Sequence, residues 1–103
     1  MSLAVLAFGL ALVSGPEIET ISAPAAFVSG GQVLARVTTR GLAPKVTLNG
    51  VEVSASFRPS GQAGVYEGLV SGLGEGANTL TAASGRGQSS LTVTNHPIQG
   101  DRK

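Results

Sequence analysis

The run Val46-Thr47-Leu48-Asn49-Gly50-Val51-Glu52-Val53 constrains the fold more than any other part of the chain. Asn-Gly between two short apolar-polar alternations is the signature of a two-residue type I′ hairpin, whose central residues both need positive φ. The turn sets the register. Leu48 faces Val51, Thr47 faces Glu52 and Val46 faces Val53. Val46, Leu48, Val51 and Val53 then share one face, as an antiparallel sheet with one buried side requires.

Around this hairpin the segments come at regular intervals. Residues 17–22 read as a short edge strand. Residues 23–31 read as a loop with Phe27 and Val28 turned inward. Residues 32–39 form a strand with Val33, Ala35 and Val37 on one face. Residues 45–48 and 51–57 make the hairpin, its inner face running on through Ala55 to Phe57 as a central stripe of the core. Residues 64–70, 77–83 and 89–95 complete the series, with Leu80, Leu91 and Val93 inward, and Pro97 ends the sheet. Seven short strands with turn signals every eight to twelve residues predict an all-β, immunoglobulin-like β-sandwich without the Cys-Trp-Cys core of antibody domains, with a small open barrel as the alternative.

The expected layout is an apolar segment at 1–15, the sandwich at 16–97 and a tail at 98–103. Leu3 to Val13 is uninterruptedly apolar. It is too short for a membrane span, which needs about 20 residues, and has the length of a secretory signal's apolar region. No Lys or Arg precedes it. The other reading is a strand, in which Leu6, Phe8, Leu10 and Leu12 alternate with small residues. Such a strand would lie in its own sheet or be donated to a neighbour's.

The composition excludes several classes of chemistry. A net charge of +1 with 13% charged residues leaves no basic surface for nucleic acid. Three Phe, one Tyr and no Trp make a poor stacking platform for bases or sugars. Without Cys there are neither disulfides nor thiolate metal sites. No Asp precedes Asp101, so calcium-type carboxylate loops are missing. His96 is the lone histidine, and its only nearby acid in sequence is Asp101. A histidine base needs an orienting partner and a nucleophile, so His96 reads as a cap or surface residue where the chain leaves the domain. Glu17 and Glu19 share one solvated face. Residues 72–76 and 85–87 are Gly-rich, but strands follow them and no lysine is near, so they read as turns and not phosphate loops. We expect no catalytic, cofactor or metal residues.

One resemblance spans roughly residues 17–100. It rests on Val28-Ser29-Gly30-Gly31, the Asn-Gly hairpin, Phe57, Gly68-Leu69-Val70-Ser71-Gly72-Leu73, Gly76-Ala77-Asn78-Thr79-Leu80 and Leu91-Thr92-Val93-Thr94-Asn95-His96-Pro97-Ile98-Gln99-Gly100. With these elements the chain resembles the N-terminal Ig-like module of a family of large secreted bacterial proteins whose main body resembles α/β-hydrolases. The most specific pieces are the Gly-x-Asn-x-Leu strand start and the Asn-His-Pro-Ile-x-Gly exit. The resemblance implies a large domain beyond that exit, and no catalytic position of it lies in these 103 residues.

The expected function is therefore a non-catalytic accessory or binding module of an exported protein, periplasmic, cell-surface or extracellular. Its partner would be another protein domain or an identical subunit; carbohydrate or polymer binding stays open, with no residue pattern to support it. The alternative is a structural subunit assembling through its apolar N-terminal strand. A hydrolase in its own right stands last.

Overall fold

The computed structural model describes residues 15–40, 42–85 and 87–97. The apolar run Leu3 to Val13 and the tail at 98–103 lie outside the described residues. The described residues contain nine strands: β1 Glu17–Thr20, β2 Val28–Ser29, β3 Gln32–Thr38, β4 Lys45–Leu48, β5 Val51–Glu52, β6 Phe57–Pro59, β7 Val65–Ser71, β8 Gly76–Ser84 and β9 Gly87–His96. They form one sheet in the order β2-β9-β8-β4-β5 and a second in the order β1-β3-β7-β6. All pairs are antiparallel except β2 with β9. A five-stranded sheet over a four-stranded one, in this order, is the immunoglobulin arrangement.

The alternation of the strands builds the core. Val33, Ala35 and Val37 of β3 and Val70 of β7 face Val46, Leu48, Leu80, Ala82 and Val93 of the other sheet. Leu80 is the largest side chain fully enclosed, and no described aromatic is buried. The interior is thus built from small aliphatic side chains. The polar sides carry mostly Thr, Ser and charge. On the second sheet Glu19, Arg36 and Glu67 stand in one cross-strand row, and the Arg36 guanidinium reaches Glu19 at 3.2 Å and Glu67 at 3.1 Å.

The hairpin forms as expected at its turn. Thr47 pairs with Glu52 and Leu48 with Val51, Asn49 has φ 51° and Gly50 φ 87°. The Val53 N–H still donates to the Val46 carbonyl at 2.8 Å. Beyond that the expected strand 51–57 breaks. Residues Ser54–Ser56 form a 3₁₀ turn, and Phe57 starts β6 in the opposite sheet, paired with Gly68. Two consequences correct the expected stripe. Val51 is 67% exposed, because β5 is a two-residue edge strand with nothing packed over its rim. Ala55 is exposed on the turn. The hairpin therefore sits at the sheet's edge, and only Val46 and Leu48 are buried in the core.

The switch also seals an edge. The Ser54 hydroxyl accepts from the Val46 N–H at 2.8 Å and lies 3.4 Å from the Val46 carbonyl. A side chain so takes the backbone positions that a further strand would use. Phe57 lies across Gly68, where an added Cβ would come within 2.9 Å of the ring and 2.5 Å of the Ser56 carbonyl. Only glycine lets the crossing pass that close.

The second correction concerns the loop at 23–31. Its end forms β2, running parallel to the end of β9 through Asn95–Val28 and His96–Ser29. Val28 is buried, but Phe27 is 71% exposed. In an extended segment neighbouring side chains point to opposite faces, so both cannot enter the core.

Candidate functional site

All three asparagines of the chain meet at one end of the sandwich. Asn78, at the start of β8, is 2% exposed. Its Oδ1 accepts from the Gly74 N–H and from Asn49 Nδ2, each at 3.0 Å. Its Nδ2 donates to the carbonyls of Gly74 at 2.9 Å, Gly76 at 3.0 Å and Val93 at 3.3 Å. Asn49 closes the hairpin tip onto β8: its Oδ1 accepts from the Thr79 N–H, and its own N–H donates to the Thr79 carbonyl, both at 2.8 Å. Asn95, 5% exposed, accepts from the Gly31 N–H at 3.1 Å and donates to the Gly74 carbonyl at 3.4 Å. One residue type recurs because its amide offers both donors and acceptors, which loop backbone buried at a sheet end needs. The residues of the Gly-rich loop at 72–76 are thereby bound to two strands, β8 through Asn78 and β9 through Asn95. That loop is a structural turn, as its sequence suggests.

His96 and Phe27 stand beside this end, where the chain leaves the domain. Their rings lie 6.0 Å apart and 15° from parallel. His96 Nε2 is 2.9 Å from the Ala26 carbonyl. A carbonyl only accepts, so the ring proton sits on Nε2. The Thr94 N–H donates to the Ala25 carbonyl at 2.8 Å and extends the same junction. His96 thus fastens residues 25–29 to β9. Register places Ser29 beside it, but neither β2 nor β9 carries an Asp or Glu to orient the imidazole. Asp101 lies outside the described residues. Phe27 was not expected at this junction. Its inward neighbour Val28 was the sequence signal that it points outward.

The remaining polar chemistry is dispersed. The Arg36 guanidinium has its pKa raised, first by its hydrogen bond to Glu67 and then by that to Glu19, and this keeps its charge fixed. Glu17 and Glu19 are exposed on β1, and Glu19 is used in that ion pair. Among the described residues no three His, Cys, Asp or Glu side chains are grouped to hold a metal. A depression of about 260 Å³ lined by Thr39, Arg40, Ala63 and Gly64 opens at the opposite end, beside the Thr39–Gly64 backbone hydrogen bond. It holds no carboxylate or imidazole. No helix among the described residues is long and apolar enough to cross a membrane.

The chain runs through the module end to end. Gly15 lies against Gln88 and Ser89 at the start of β9, and Pro97 follows the end of β9. Eight residues of strand separate these points, roughly 26 Å at about 3.3 Å per residue.

Residues 18–101 match the pattern of a Tannase-like family of unknown function. No curated protein matches the chain. Among solved structures, the FMN-binding beta-glucuronidase from Facaelibacterium prausnitzii L2-6 contains a similar unit, with a TM-score of 0.58 and 22% identity. The likeness covers 78% of this chain and 12% of that one, so the chain spans about an eighth of the glucuronidase. At that identity the likeness is one of fold.

Proposed function

Because the chain belongs to the Tannase-like family that residues 18–101 match, we propose that it serves as a non-catalytic Ig-like module of a longer exported protein. It seats on a neighbouring domain at the end where the chain leaves. The single observation that carries this reading is the Phe27–His96 stack. A large aromatic surface lies open beside the exit, and the side chain beneath it is hydrogen-bonded to the backbone and held in one orientation. Preorganised aromatic surface at a rigid junction is what a domain interface uses. Two further observations support it. The described chain enters at one end of the sandwich and leaves at the other, so the incoming segment at Gly15 does not crowd the exit. A unit of the same fold makes up a small part of a much longer glucuronidase.

The test takes the full chain and the separately produced hydrolase-like body of a longer family member. Saturable binding that Phe27→Ala removes, at an unchanged melting temperature, is expected. Ester hydrolysis by the 103-residue chain alone, lost in His96→Ala, would overturn the reading.

A further inference from the structure

The turn that defines the hairpin also carries a reactive bond. In an Asn-Gly dipeptide the glycine's backbone nitrogen can attack the asparagine's side-chain Cγ, because no Cβ shields it. The N–Cγ bond forms, the Gly50 amide proton passes to solvent, and the Cγ–NH₂ bond breaks with release of ammonia. Water then opens the resulting succinimide at either carbonyl, giving aspartate or isoaspartate. The step needs only water and involves no redox change. It does need the Asn49 side chain to swing toward the Gly50 nitrogen.

In the folded chain that swing is blocked from both sides of the amide. Asn49 Oδ1 is held by the Thr79 N–H at 2.8 Å, and Nδ2 is held on Asn78 Oδ1 at 3.0 Å. The Asn49 N–H is anchored on the Thr79 carbonyl, and φ is 51°. The residue is nevertheless exposed, so water has access. We infer that Asn49–Gly50 is a latent deamidation site that the Asn49–Asn78–Thr79 clamp keeps closed. Opening this end of the sandwich exposes the molecule to a change it cannot reverse. The product has an oxygen where Nδ2 stood, facing the Oδ1 of the buried Asn78. The bond to Asn78 cannot re-form, and the modified fraction accumulates with the time this end spends open.

The experiment holds the full chain at mildly alkaline pH in native buffer and in a urea series. The peptide that follows Lys45 is then mapped by mass spectrometry for amide loss and isoaspartate. Two hydrogen bonds must open first, each worth about fivefold, so deamidation in native buffer should be about thirtyfold slower than in unfolding urea. The rate should climb along the unfolding curve. Asn78→Ala, where circular dichroism shows it folded, should deamidate several-fold faster than the parent in native buffer. Where it does not fold, the urea series on the parent decides. Equal rates in native buffer and in unfolding urea would overturn the inference.

Discussion

Replacing Asn78 by Ala tests how the open end of the sandwich is held. Asn78 Oδ1 accepts two hydrogen bonds, and its two Nδ2 hydrogens serve three carbonyls. That is about four bonds' worth of interaction, each contributing about 1 kcal/mol net. Gly74 and Gly76 are exposed, so water takes over part of the loss there. Val93 lies opposite residue 78 in the β8–β9 ladder and keeps that backbone pairing after truncation, so the loss there is also partial. The expected cost is about 3 kcal/mol, with the asparagine's contribution to loop order included. For a domain of this size that lowers the melting temperature by about 15 °C. Urea denaturation followed by circular dichroism reads it directly, with an unchanged m-value. A cost below about 1 kcal/mol would refute the claim that this amide organises the end of the sheet. A double-mutant cycle with Asn49→Ala should show a coupling of at least about 0.5 kcal/mol, because the two side chains touch.

Other substitutions probe the rest of the account. Gly68→Ala puts a methyl into the Ser56 carbonyl and the Phe57 ring, and should cost about 2–3 kcal/mol in urea melts. Leu80→Ala, at the centre of the core, should cost about 2–5 kcal/mol by the same assay. Arg36→Ala breaks a three-residue surface ion-pair row and should cost under about 1 kcal/mol, less in high salt. Phe27→Ala should change stability by less than about 1 kcal/mol, since the ring is largely exposed, while removing the binding described above.

Much of the fold was legible in the sequence because it rests on local rules. The Asn-Gly turn set its own register, and the alternation in Val33-Leu34-Ala35-Arg36-Val37 named the buried face of β3. What escaped depends on where the chain travels after a local element ends. Nothing in the alternation through Val53, Ala55 and Phe57 shows that the chain leaves one sheet at Ser54 and joins the other at Phe57. The pattern has the same parity either way. The signal was Gly68, whose missing side chain makes room for the crossing, and it lies far away in sequence. The asparagine cluster was hidden for the same reason. Asn49 belongs to a turn signature, while Asn78 and Asn95 sit in separate short motifs, Gly-x-Asn-x-Leu and Asn-His-Pro-Ile. Their meeting is a product of tertiary structure. At the exit, His96 was read from its place at the end of the last strand. Phe27 was assigned to the interior on hydrophobicity alone, although a side chain next to the inward-facing Val28 must face out.

On the proposed reading, the module acts through a rigid, aromatic-capped exit and not through chemistry of its own. Amide chemical-shift mapping locates the docking face. The isotope-labelled chain is titrated with the separately produced body of a longer family member. Shifts are expected to cluster at residues 25–29 and 94–96, with the amides of Thr39, Arg40, Ala63 and Gly64 at the opposite end unmoved. Shifts centred on that opposite end, with the exit untouched, would contradict it.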